Sequence, residues 1–527
     1  MFKFKKEHHF TIYFIGLALL SIGMPLSVFL VSVSQLILIG NWIVEGDFKN
    51  KIAILKERKS ILIFIGVFLV HVLWLISTED MKYAYKDIRI KLPLIILPII
   101  IGTSCRLTFK QIKSLLLIFT GAIILSSLIS TSILLGFTSI KINDIREISI
   151  FISHIRFSLL INISIFSLAY FLLSSHINRS NTEKVIYTIS LIWLIVFLFI
   201  LQSLTGIITF ITTGYFLLLY KVIKLKKVYY RICFSLILVS APVIIYVYLI
   251  NQWNEFYTID SKNIAELPLK TKKGNPYFHD INNNSIENGH WICLYVNFEE
   301  LREDWPKYSN ISIDGEDKRD QKIINTLFRY LTSKNLPKDA EGLSKLSKED
   351  IQLIENGVTN YLYKDYTSLN ARIHQTIWEI DIYKKGASPS GSSLTQRIEF
   401  LKAAFGIIKK DFWLGIGTGD LKKAFENQYK SINTQLDKNH QLRAHNQFVT
   451  FIITFGILGL FVILFSLFYP IIKEKGYKNY FFMTFFCIAL LSMLNEDTLE
   501  TQAGVTFFAF FYCFFIWGKE DKQKNIK

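Results

Sequence analysis

Only five cysteines occur in 527 residues, at 105, 233, 293, 487 and 513, and none falls at metal-ligand spacing. Cys105, Cys233, Cys487 and Cys513 lie in or beside apolar runs, which argues against a disulfide framework. No small-residue cleavage site follows the first apolar run, Phe10 to Ile22, and a second run begins almost at once. The first run is therefore expected to be a span and not a removable leader. Acidic residues are in short supply, 42 against 59 Lys and Arg, for a net charge of +17. That balance would suit nucleic-acid binding, but much of the basic charge sits between apolar runs, where it reads as a topology signal. No repeat relates the two halves of the chain, which argues against a transporter or flippase built on repeats.

What is present is apolar length. The sequence is 51% hydrophobic and 15% aromatic. At about 20 residues per crossing, about twelve spans are expected, near 10–23, 27–45, 60–77, 91–104, 110–136, 152–173, 185–202, 204–220, 231–250, 446–472, 478–494 and 501–517. The expected fold is an all-α integral membrane protein in three parts. These are an N-terminal membrane domain over 1–250, a large, mainly helical loop over 251–445, and a C-terminal membrane segment with its tail over 446–527. Basic residues of the short connections fit one orientation, with Lys3, Lys51, Lys110, Lys224, Lys475 and the tail lysines Lys522, Lys524 and Lys527 inside. The long loop and the acidic connection Asn495 to Gln502 then lie outside. The connection Thr78 to Lys91 breaks the pattern with Lys82, Lys86, Arg89 and Lys91. It reads either as snorkelling at a helix end or as a basic rim for an anionic headgroup.

Within the loop, the stretch through Leu336 shows little periodicity and is expected to be a partly ordered decoration. Ser347 and Asp350 form a capping-box pattern, and Leu369, Ile373, Ile377 and Ile380 recur at helical spacing. Ser393 and Gln396 open a further helix with Arg397 in its first turns and Ile398, Leu401, Phe405 and Ile408 on one face. Asp411 to Asp420 follows, containing Gly415, Gly417 and Gly419. No strand precedes this glycine string, so a nucleotide-binding loop is excluded. A tight turn is expected instead, with Asp420 capping the next helix. His440 and His445 stand five apart, and no nearby carboxylate is read as completing a ligand set with them, so a zinc helix is not expected.

The succession Arg397 to Phe400, Phe412 to Gly419, His445-Asn446 and Gly456 to Gly459 resembles the O-antigen ligase and polymerase family of membrane glycosyltransferases. The likeness is close over about 395–465 and looser over the surrounding spans. It implies transfer of a glycan from a polyprenyl diphosphate carrier to an acceptor hydroxyl, at the periplasmic face of a bacterial inner membrane. The acceptor would be a lipid-A core sugar for a ligase, a second carrier-linked repeat for a polymerase, or Ser or Thr for a protein O-oligosaccharyltransferase. By the same resemblance His445 is the base, Arg397 binds the diphosphate, and Asp497 or its neighbour Glu496 supplies the acidic residue near the last spans. Ligases often carry a Ser-Arg pair in a middle span, and Gln202 to Gly206 departs from that pattern. Arg156 is a candidate to supply the missing charge, and Arg89, Arg372 and Arg443 are further substrate-binding candidates.

The residue types suit that chemistry. Arginine offers a permanently charged planar fork to phosphate oxygens. Histidine, with an ordinary pKa of about 6.5, accepts a proton near neutral pH. Single displacement would invert the anomeric centre, and neither metal nor other cofactor is required.

Overall fold

The computed structural model describes residues 5–140, 142, 144–260, 266–364 and 368–520. Lys3 and the tail lysines Lys522, Lys524 and Lys527 lie outside the described residues. Among those described, nine helices are long and apolar enough to cross a membrane. They are Lys6–Leu26, Val28–Glu45, Lys59–Ser77, Phe109–Leu134, His154–Leu173, Asn181–Ile200, Leu204–Ile223, Val228–Phe256 and Gln447–Lys473. Three shorter apolar helices, Pro93–Thr103, Tyr480–Asn495 and Gln502–Ile516, coincide with the other expected spans.

The chain divides into two compact units, residues 1–227 with 396–527, and residues 228–395. This differs from the expected three-part division at both ends of the loop. Residues 396–445 group with the membrane helices, because Phe400, Ala403 and Ile407 pack against Leu421, Phe425, Tyr429 and the helix residue Ile453. The apolar helix Val228–Phe256 groups instead with Leu369–Lys384.

In the first unit, local signals start the helices. Thr108 with Gln111 and Ser180 with Glu183 form reciprocal capping boxes that satisfy the first free N–H groups. The core is aromatic, with Phe485, Phe507 and Phe511 in mutual ring contact and Phe119 edge-on to Phe511. Small residues permit close helix approach. The Ser158 and Ser203 hydroxyls lie 3.0 Å apart, and the Asn162 amide donates to the Gly206 carbonyl at 2.9 Å.

In the second unit, the stretch through Leu336 is more ordered than the partly ordered decoration expected. Leu301, Trp305, Ile323, Leu327, Tyr330 and Ile354 are buried in one core. The helices of that core, between Phe298 and Glu355, are short, and a two-stranded hairpin pairs Ile286–Glu287 with His290–Trp291. Buried polar groups organise it. Thr326 donates to Asp317 at 2.7 Å, and Tyr330 and Ser347 both donate to Asp350. The predicted Ser347–Asp350 capping box is present.

Candidate active site

The site in the first unit starts from a broken helix. Within Gln447–Lys473, Gly456 adopts φ +63° and ψ −174°, which interrupts the backbone ladder. An interruption of that kind in an apolar helix requires protein partners for the freed groups. The glycine string provides them. The N–H groups of Ile416 and Gly417 donate to the carbonyls of Ile453 and Thr454, both at 3.0 Å. The N–H groups of Ile457 and Leu458 donate to the carbonyls of Phe412 and Trp413, at 2.9 and 3.4 Å. Gly415, at φ +68°, lies where a Cβ would fall 2.5 Å from the Gly456 nitrogen. The string is thus the hydrogen-bonding splint of the break.

Asp420 does not cap the helix that follows it, as expected from sequence. Its carboxylate accepts from the N–H groups of Glu79 and Asp80, at 2.8 and 2.9 Å, ahead of helix Met81–Lys91. That contact ties the Thr78–Lys91 connection to the glycine string.

At the other end, Asn446 fixes where Gln447–Lys473 begins. Its Oδ1 accepts from the N–H groups of Phe448 and Val449, both at 3.1 Å, and its Nδ2 donates to the Leu494 carbonyl at 3.0 Å. His445 precedes it with a left-handed backbone, φ +48°, a strained geometry for a residue with a Cβ. The ring then meets the connection after Tyr480–Asn495. Its Nδ1 lies 3.3 Å from Oε2 of Glu496, and its face tilts on Phe400 at 5.6 Å between centroids. Arg397 approaches the same carboxylate, Nη2 standing 3.7 Å from Oε1, while Nη1 donates to Asn495 Oδ1 at 3.4 Å. His445 is 30% exposed and Arg397 is 40% exposed, so both are open to a ligand.

Asp497, the other acidic candidate near the last spans, makes different contacts. It accepts from the Thr450 hydroxyl at 2.7 Å and lies 3.9 Å from Nε of Arg443. Burial raises its carboxyl above the usual range, with Arg443 opposing the shift. The carboxylate that meets the ring is Glu496.

A buried ionic chain adjoins the ring. Glu500, within the acidic connection Asn495 to Gln502, has a buried side chain. It accepts from Lys91 and Arg443, both at 3.3 Å on one oxygen, and from Gln447 Nε2 at 3.1 Å on the other. Burial alone would raise its carboxyl, but Lys91, Arg443 and the Gln447 hydrogen bond bring it down to about 2. Lys91 also pairs with Asp87, whose carboxyl burial raises. Lys91 is 1% exposed and so is neither a snorkelling nor a rim residue. Gln447 closes the arrangement by accepting from the Leu499 N–H at 2.7 Å. The partners of Glu500 escaped sequence reasoning because they lie 53, 57 and 409 positions from it along the chain. The one signal was a lysine beside a carboxylate four residues earlier on a short helix.

The Glu500 pairing gives a stability prediction. Its depressed carboxyl contributes stabilisation above the unfolded value of about 4.3 and loses it as pH falls through the folded value of about 2. Glu500→Gln is expected to cost about 3 kcal/mol at pH 7. The gap to wild type should narrow below about pH 4, as thermal melts at several pH values would read.

The remaining candidates separate. Arg156 donates to Ser153 Oγ at 3.2 Å, its Nε is buried without a partner among the described residues, and the charges of Glu496 and Asp497 act on it. Arg89 is exposed on Met81–Lys91. Arg372 is exposed on Leu369–Lys384 of the second unit.

Residues 356–464 match the family model described as O-antigen ligase. The match supports the O-antigen ligase and polymerase family. It spans Arg372, Arg397, the glycine string, Arg443, His445 and the broken helix turn, and ends before the 495–500 connection. It supports, in general terms, a glycosyltransferase-like enzyme of O-antigen ligase or polymerase type. A comparison with curated proteins finds no match.

Proposed function

We propose that this chain is an inverting, metal-independent glycosyltransferase of the O-antigen ligase type. It moves a glycan from a polyprenyl diphosphate carrier to an acceptor hydroxyl, with a lipid-A core sugar as the leading acceptor. The reading includes about twelve spans in a bacterial inner membrane and an active site facing the periplasm. The observation that carries it is the His445 ring, held on Glu496 through Nδ1 beside Arg397.

That contact sets the tautomer. Nδ1 carries the proton shared with Glu496, so Nε2 presents its lone pair. Nε2 removes the proton from the acceptor hydroxyl as its oxygen attacks the anomeric carbon. The bond from that carbon to the diphosphate oxygen breaks, and the electron pair leaves with the carrier. Glu496 stabilises the imidazolium so formed. Arg397, Arg443 and Arg156 meet the charge growing on the diphosphate. Asp497 and Glu500 hold Arg443, while Arg89 and Arg372 have no part in the bond changes.

Arginine at 397 should matter as a fork and not only as a charge. Arg397→Ala is expected to lower transfer by about 100-fold or more, near the loss of one oxyanion-hole donor. Arg397→Lys should recover only part of that loss. Initial rates with purified carrier-linked donor read both.

Glycan profiles of cells lacking the gene test the function. Loss of long glycan from lipid-A core, with carrier-linked polymer retained, establishes a ligase. Single-repeat glycan alone indicates a polymerase, and loss confined to glycoproteins a protein transferase. An unchanged profile in cells without a second copy contradicts the proposal.

A further inference from the structure

The second unit contains a cavity that the proposed transfer chemistry leaves unused. His290, Trp291, Tyr295, Asn335 and Lys338 line it. The frame behind them is fixed. Phe278 and Val296 exchange backbone hydrogen bonds at 2.7 and 3.1 Å. The N–H of Lys338 donates to the Tyr295 carbonyl, and that of Asn297 to the Lys338 carbonyl, both at 2.8 Å.

Two features of the lining are costly for folding alone. Tyr295 has φ +58°, a left-handed backbone that bulky side chains rarely adopt. Its N–H donates to His279 Nδ1 at 3.1 Å, and its ring meets those of His279 and Tyr277 edge-on. Lys338 is 2% exposed, yet its ammonium pairs with two backbone carbonyls, of Trp291 and Leu294, at 3.2 and 3.1 Å. An ammonium has three N–H donors, and these carbonyls take two. Asn335 is also left-handed, φ +53°, with its side chain exposed.

Strained aromatic presentation beside placed hydrogen-bond donors is the chemistry of sugar recognition. The C–H face of a pyranose lies on aromatic rings, and its hydroxyls exchange hydrogen bonds with amides and ammonium groups. We propose that this cavity binds a sugar ring of the glycan, with Trp291 and Tyr295 as platform and Asn335 and Lys338 as polar contacts. The choice of glycan as ligand rests on the transferase reading above.

The test uses the full chain in lipid nanodiscs. Its probe is the soluble oligosaccharide freed by mild acid from the carrier-linked glycan of the same cells, with binding followed by calorimetry. Tyr295→Gly removes the ring while glycine accepts the backbone, so the fold should survive. Wild type and His445→Ala are expected to bind alike, and Tyr295→Gly at least ten-fold more weakly. Asn335→Gly, equally suited to its backbone, should bind about three-fold more weakly and decides the matter if Tyr295→Gly melts early. Absence of binding by wild type, loss of binding in His445→Ala, or wild-type affinity in a folded Tyr295→Gly chain would overturn the site. Binding by a wild-type chain that transfers no glycan to any acceptor supports this site while removing the transferase reading.

Discussion

Replacing His445 by alanine is expected to lower glycan transfer by about 100- to 10,000-fold, the range for loss of a positioned general base. The protein should remain folded, because the ring is partly exposed and the anchoring work is done by Asn446. Alanine in a left-handed backbone costs about 1–2 kcal/mol, so His445→Asn is the companion variant, since asparagine adopts that backbone readily. Both should be inactive, and the asparagine variant should melt close to wild type. Glu496→Gln should fall between, because an amide can still meet Nδ1 but cannot stabilise the imidazolium. Loss in Asp497→Asn larger than in Glu496→Gln would place the ring's partner at Asp497 and contradict the assignment. Transfer rates and melting temperatures on the same preparations separate chemistry from folding.

The second large effect is structural. Gly456→Ala would place a Cβ 2.2 Å from the Trp413 carbonyl oxygen and 2.5 Å from the Leu414 nitrogen, at φ +63°. Both obstacles are backbone, so no side chain can move aside. The splint between the glycine string and the broken helix would separate, freeing four hydrogen bonds in an apolar setting. A destabilisation of about 3 kcal/mol or more is expected, read as lost yield in detergent and a lower melting temperature. Gly459→Ala should be milder, because Gly459 has no left-handed backbone, although a Cβ there would fall 2.2 Å from Phe455 Cβ. Equal behaviour of the two variants would contradict the splint.

The membrane helices were legible because apolar length is a local property. His445, Arg397 and the glycine string were legible through their order along the chain. Their partners were not. Glu496 reaches His445 from 51 positions away, and Lys91 reaches Glu500 from 409. Such pairings are set by helix packing, which no local pattern encodes. Asp420 was misread for the same reason, since a capping residue serves whichever helix start the fold brings to it. The second unit was hidden because its short elements are joined by buried polar contacts such as Thr326 to Asp317. Periodicity of apolar residues carries no trace of those.

The most direct test follows the carrier itself. Purified wild-type chain in liposomes, given carrier-linked glycan and acceptor, is predicted to release one free polyprenyl diphosphate for each glycan joined to acceptor, with no added metal. The His445→Ala chain should release almost none. Carrier-linked glycan moved between leaflets without cleavage would contradict the account and make the chain a transporter.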